Sequence, residues 1–197
     1  GIAALPAAHW PWSKASAQWR DRVAFLRMAE GAGQDWPDMS DAALARTMAD
    51  WLAPHIAGMT ALAGLSPEVF FEALKARLDW TLQRRLEAEA PTHLVAPTGS
   101  RLAVDYAAEA GPTVSVRVQE LFGLSEHPAL AGGRIPVVLE LLSPAQRPIQ
   151  VTKDLPGFWR GSWAAVRTDM RGRYPRHVWP EDPATALPTT RAKPRGN

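Results

Sequence analysis

Apolar residues recur at intervals of three and four through most of the first ninety positions and at intervals of two after Pro91, so the chain reads as helical first and mixed afterwards. From Ser16 to about Glu30, Trp19, Val23 and Leu26 share one side while Arg20, Asp21 and Arg27 are left to solvent, and Gly31 and Gly33 end the helix. A second helix begins at the capping Ser40, carries Leu44, Met48, Trp51 and Leu52 on one side, and stops before Pro54. Residues 55 to 64, with Gly58 and Gly64, predict a short helix or helical turn. Ser66-Pro67-Glu68 is a start signal, because serine caps free N–H groups, proline suits the first helical position and glutamate favours the positive end. The helical stripe that follows is Phe70, Leu74, Leu78, Leu82 and Leu86, running to about Ala90; Asp79-Trp80 is able to cap a second helix, which leaves one helix or two open. Ahead of all these, His9-Trp10-Pro11-Trp12 predicts an extended lead-in packed on a neighbour.

After Pro91 the period changes. His93 to Ala96, Arg101 to Tyr106 and Thr113 to Val118 predict strands, the last with Val114, Val116 and Val118 alternating against Ser115 and Arg117. Pro97-Thr98-Gly99-Ser100 is the turn between the first two. Gln119 to Phe122 fits a helical turn, Gly132-Gly133-Arg134 a loop, Ile135 to Leu142 an apolar strand run, and Pro148 to Thr152 a last strand. Asp154 opens a final amphipathic helix on which Trp159, Trp163, Val166 and Met170 form the apolar face, Arg160, Arg167 and Arg171 lie on another, and Gly172 marks the end. Past Pro183 the chain is rich in Pro, Thr, Arg and Lys with almost no large apolar residues, which predicts an extended or mobile tail unless it docks on a surface.

Composition changes this picture little and charge changes it more. With 197 residues, 46% hydrophobic and 21% charged, the chain is long enough for a real core and belongs with ordinary globular proteins. It contains no cysteine, which excludes disulfides and thiolate metal sites and fits a reducing, cytoplasmic setting. No run approaches the roughly 20 apolar residues of a membrane helix, so no membrane partner is expected. The opening Gly1-Ile2-Ala3 has the look of a cut inside a longer protein. The net charge of +2 is segregated: from Lys153 onward nine Lys and Arg face four Asp and Glu, giving +5, whereas the first 152 residues hold 13 against 16, giving −3. Such asymmetry points to a polyanion as partner of the C-terminal part.

Several words of the second half occur in a telling order. They are Ala90-Pro91-Thr92-His93, Pro97-Thr98-Gly99-Ser100-Arg101, Val104-Asp105-Tyr106, Val118-Gln119-Glu120-Leu121-Phe122-Gly123, Gly133-Arg134-Ile135-Pro136, Leu142-Ser143-Pro144-Ala145-Gln146-Arg147-Pro148 and Val151-Thr152-Lys153-Asp154-Leu155. Phe158-Trp159-Arg160, Arg171-Gly172-Arg173-Tyr174-Pro175-Arg176-His177 and Trp179-Pro180-Glu181-Asp182-Pro183 complete the series. Together they resemble the C-terminal region of bacterial DExH-box ATP-dependent RNA helicases of the HrpB type. The resemblance covers about 110 residues from Ala90 onward, with the helices from Leu65 agreeing more loosely. It implies an α+β protein: a helical subdomain over 1–90, an OB-like β-barrel with a C-terminal amphipathic helix over 91–183, and an extended basic tail over 184–197. It also implies that ATP and Mg²⁺ belong to the motor domains of the parent polypeptide. These residues contain neither a G-x-x-x-x-G-K-[ST] phosphate loop nor an Asp-Glu-x-His segment, so no cofactor is expected here.

The residues suited to single-stranded RNA or DNA are Arg134, Lys153, Arg160, Arg167, Arg171, Arg173 and Arg176 for phosphates and Tyr174 for stacking. Their alternative is a solvated face paired with local acids. Trp159 and Trp163, at helical spacing, read as core, and Trp179 as an anchor for a proline-rich stretch. The Pro-Thr-Gly-Ser turn offers N–H groups and a hydroxyl to a phosphate, or simply reverses a hairpin. The five histidines lack metal-ligand spacing, and Asp105, Glu120 and Glu140 are isolated carboxylates suited to salt links. The expected role is an accessory module that guides single-stranded nucleic acid and packs on the helicase motor domains. The competing role is a protein-interaction module that docks through Trp10, Trp12 and the helical half.

Overall fold

Ser13 and Ser16 cap each other at the start of the first helix. The Ser16 N–H donates to Ser13 Oγ at 3.1 Å and the Ser13 N–H donates to Ser16 Oγ at 2.9 Å, so α1 (Lys14–Glu30) begins two residues earlier than its apolar stripe suggests. The computed structural model describes residues 5–31, 35–57 and 64–192. They fall in two units, residues 1–91 and 92–197.

In the first unit α1 buries Trp19, Val23, Phe25 and Leu26 and stops at Gly31, whose φ of +84° disfavours any residue with a Cβ. The expected second helix is three short ones, α2 (Asp41–Arg46), α3 (Met48–Trp51) and α4 (Ala53–Ile56). The break at Thr47 has a local cause: its hydroxyl donates to the Ala43 carbonyl at 2.7 Å while its own backbone leaves helical geometry at φ −102°, ψ 11°. Pro54 does not stop the chain. It lies in the first turn of α4, where a missing N–H is no loss. The short helix expected over 55–64 falls largely outside the described residues.

The stripe from Phe70 to Leu86 is divided between α5 (Pro67–Lys75), capped by Ser66, and α6 (Trp80–Glu89), whose Asp79 cap accepts the Leu82 N–H at 2.9 Å. Gln83 reaches back to donate to the carbonyls of Lys75 and Leu78 at 3.2 and 2.9 Å, tying α6 to the end of α5 across the break, where the Lys75 carbonyl also accepts the Leu78 N–H at 3.1 Å. Phe70 is the centre of the core, meeting Trp10, Trp12 and Trp51 edge-on at ring distances of 6.4, 4.9 and 5.9 Å. The lead-in is therefore packed, as its tryptophans predict. Trp10 is buried and Trp12 half-buried, which removes the two as an exposed docking surface.

In the second unit β1 (His93–Val95) and β2 (Arg101–Ala103) form an antiparallel ribbon. β3 (Thr113–Arg117) runs parallel to β6 (Val138–Leu142), which pairs antiparallel with β7 (Pro148–Thr152). A further ribbon joins β4 (Ala129–Leu130) to β5 (Ile135–Pro136). β4 is too short to leave a periodic signal, and the apolar run from Ile135 is divided at Val137, which belongs to neither β5 nor β6. The α+β class holds, but the OB-like barrel is corrected. Among the described residues the strands make three separate sheets and no closed barrel, because a barrel needs an unbroken circuit of paired strands.

The final helix is likewise two, α7 (Leu155–Arg160) and α8 (Trp163–Arg173), parted at Gly161, whose φ −108°, ψ −89° is not helical. The apolar face survives the break. Phe122 packs against Trp159, Trp163 and Trp179 at 6.1, 5.5 and 6.5 Å, with all four rings buried, so the tryptophans are core and anchor. The segment from Pro183 is tied to the rest of its unit at two points, the later at Thr189, although Leu187 between them is exposed. The Gly123 N–H donates to the Pro183 carbonyl at 2.8 Å and the Thr189 N–H to the Gln119 carbonyl at 3.1 Å.

Candidate nucleic-acid interface

Splitting the last helix redistributes the basic residues expected on one face. Arg160 stays on α7, exposed, while Arg167, Arg171 and Arg173 are carried by α8. Tyr174 ends α8 by donating its N–H to the Met170 carbonyl at 2.7 Å, and its hydroxyl lies 3.2 Å from Ser143 Oγ, so the ring is held half-buried against the β6–β7 turn. The chain then folds back. Trp179 donates its indole N–H to the Tyr174 carbonyl at 2.9 Å, and its own carbonyl accepts from Arg167 Nε at 2.7 Å.

This return leaves a groove of about 430 Å³ lined by Arg167, Arg171, Pro175, His177, Val178 and Trp179. Arg171 is exposed and has no carboxylate partner among the described residues, and the same holds for Arg160 and Lys153. Arg173 is 3.5 Å from Asp169 on the same helix, an exposed pair of the kind that contributes little, and its guanidinium lies 5.8 Å from the Tyr174 ring centre. Arg176 is exposed on the returning segment. Arg134, in the turn between β4 and β5, and Lys153, just after β7, are both exposed and neither lines this groove. Of the eight residues singled out from the sequence, the structure thus gathers Arg167 and Arg171 in one groove, flanks them with Arg173, Tyr174 and Arg176, and leaves Arg134, Lys153 and Arg160 elsewhere on the unit.

His177 joins the groove although sequence pattern did not single it out as a site residue, and Arg117 acts on it from outside the groove lining. His177 has its imidazole edge-on to Tyr174 at 6.3 Å and tilted against Trp179 at 6.2 Å, with Nδ1 buried and unpartnered. Burial holds its pKa below the usual histidine value, and the positive charges of Arg117 and Arg176 push the same way. Arg117 is at the end of β3, sixty residues away in sequence, so no local signal connects it to His177. It is tied in turn to the buried Glu120, whose carboxylate accepts from Arg117 Nε at 3.3 Å, Ser100 Oγ at 2.6 Å and Thr98 Oγ1 at 3.0 Å. The hydroxyls of the Pro-Thr-Gly-Ser turn are therefore engaged inside the protein, and the turn reverses its hairpin with Gly99 at φ +88°. Among the described residues no group of three His, Asp or Glu is placed to hold a metal ion, and no helix is long and apolar enough to cross a membrane.

Comparison with known proteins gives these features a family. The HrpB_C family model, described as ATP-dependent helicase C-terminal, matches residues 51–183. The ATP-dependent RNA helicase HrpB of Escherichia coli (strain K12) is 49% identical over 159 residues, covering 81% of this chain and 20% of that protein. The crystal structure of E. coli DExH-box NTPase HrpB resembles this one with a TM-score of 0.83 at 45% identity, over 91% of this chain and 22% of the other. The crystal structure of Escherichia coli DEAH/RHA helicase HrpB gives a TM-score of 0.75 at 41% identity, with the same coverage. The chain thus spans about a fifth of the length of the relatives it matches. A match over most of its residues, at this identity and with this structural agreement, places it: the chain belongs to the HrpB ATP-dependent helicase C-terminal family.

Proposed function

We propose that this chain is the accessory C-terminal module of an ATP-dependent RNA helicase, guiding single-stranded RNA or DNA while packing on the motor domains of the same polypeptide in the cytoplasm. The observation that carries the nucleic-acid reading is the groove beside α8. It combines Arg171, which no acid neutralises among the described residues, with Arg167 and the flanking Arg173 and Arg176, on the unit that holds the chain's excess positive charge. Guanidinium groups suit phosphate oxygens because their planar donors meet two oxygens at once. Arg134, Lys153 and Arg160 extend the positive surface, and Tyr174 supplies an aromatic edge beside it. ATP and Mg²⁺ are assigned to the motor of the parent protein, since the phosphate loop and the Asp-Glu-x-His acid are absent from these 197 residues.

Titration of the chain with fluorescein-labelled single-stranded RNA at low and at moderate salt tests the reading. Binding that weakens with salt, and weakens further in the Arg171→Glu/Arg173→Glu double variant, is the expected result. No binding at low salt overturns the nucleic-acid role for these residues.

A further inference from the structure

The helical unit carries a feature of a different kind. Of the nine tryptophans, Trp80 alone is exposed, at 71% of its surface, at the first position of α6. Indoles are rarely left so open, because covering one with apolar neighbours removes a large apolar surface from water. One turn further along α6, the Arg84 guanidinium lies 5.9 Å from the Trp80 ring centre and has no carboxylate partner among the described residues. Across the same surface the Lys75 ammonium stands 4.5 Å from the ring centre of Phe71, sharing its charge with Glu72 at 2.5 Å in an exposed pair that a phosphate is able to displace.

These four side chains border a groove of about 940 Å³ whose floor includes Trp19 and Leu86. The other two cations lining it are already committed. Arg22 is buried, with Nε donating to the Ala90 carbonyl at 2.6 Å and Nη2 paired to Glu87, while Arg85 is bound to Glu30 and Glu89. What the groove presents to a ligand is therefore aromatic surface with two cations at its rim, Lys75 and Arg84, and one exposed carboxylate, Glu87, whose charge is balanced by the buried Arg22. The complement is a flat apolar ring attached to an anion. An acidic peptide would satisfy the cations and leave the indole face without a planar partner.

We infer that this groove is a base-stacking subsite for single-stranded nucleic acid: Trp80 presents its face to a base, and Arg84 and Lys75 receive the neighbouring phosphates. The inference rests on the reading that the chain binds a single strand, but it uses residues on a different unit from Arg171 and Arg173. The two are thus separable by experiment.

The test measures affinity of the full chain for a fluorescein-labelled oligoadenylate at low salt, with thermal melting of each variant as a folding control. Trp80→Ala is expected to weaken binding about 5- to 150-fold, the range for losing one stacked base. Trp80→Phe should retain most of the affinity, and Arg84→Glu should weaken it independently. Wild-type affinity in both Trp80→Ala and Arg84→Glu, alongside loss in Arg171→Glu/Arg173→Glu, overturns the subsite, leaves the α8 reading standing and assigns the groove to a protein contact. Loss in the groove variants with none in the α8 variant does the reverse. No binding by the wild-type chain overturns both.

Discussion

His177 is pressed between ring edges and two guanidinium charges, and that environment makes its protonation a matter of stability. Desolvation first, then Arg117 and Arg176, hold its pKa below 6.5 in the folded chain. The unfolded chain therefore takes up the proton first as pH falls. The stability contributed by the neutral imidazole is whole above about pH 6.5 and is lost as pH falls from there through the lower folded value. Urea denaturation midpoints should decline between pH 7.5 and pH 5, and His177→Gln should flatten part of that decline; parallel pH profiles for the two proteins would show that the ring is not linked to folding. Nothing in the neighbourhood of His177 along the sequence announces this. Arg176 is its chain neighbour, but Arg117 arrives from β3 only once the second unit has folded, and the burial comes from Tyr174 and Trp179 turning back across it.

Among the elements, the strap after Pro183 shows how a segment with little apolar surface of its own becomes ordered. Its backbone is received by the 3-10 turn Val118–Leu121 and the residues just after it, through Gln119 and Gly123. Gly123 has two reasons to lack a side chain: its φ is +90°, and a Cβ there would stand 2.9 Å from the Ala186 carbonyl oxygen. Gly123→Ala should therefore lower stability by about 1–3 kcal/mol, the usual range for forcing a residue with a Cβ into such a conformation. It should also speed tryptic cleavage at Arg191, and an unchanged urea midpoint together with unchanged cleavage would refute the account. Element breaks were the least legible part of the sequence. Apolar spacing continues across Thr47, across residues 76–79 and across Gly161, because side chains on both sides of each break still face one core. Of the three, only the break before α6 has a cap visible in the sequence, Asp79, and that residue leaves one helix or two open until the structure shows it accepting the Leu82 N–H.

For the molecule as a whole, the charge asymmetry sets the expectation that salt governs binding. Each phosphate neutralised on a single strand releases condensed counterions and contributes about 0.7 to the slope of log affinity against log salt. If Arg171 and Arg173 each contact one phosphate, their double charge reversal should reduce that slope by about 1.4 or more, measured across a salt titration. An equal slope in both proteins would mean that neither residue meets a phosphate. The basic tail region, the missing motor motifs, most cores of the helices and the family itself were legible in the linear sequence. They depend on local periodicity, on capping chemistry and on ordered words, all of which survive in one dimension. The closing of the strands was not, since the two-residue β4 and the parallel pairing of β3 with β6 join segments whose partners no local pattern names. Nor was the difference among nine tryptophans, eight of them at least half-buried and Trp80 open beside Arg84, because exposure is decided by which helix faces have neighbours. Sequence by itself determined the chemistry available to this protein and where its charge lies; tertiary structure alone decided which cations are neutralised and which aromatic face is left free, because both depend on residues distant in the chain coming together.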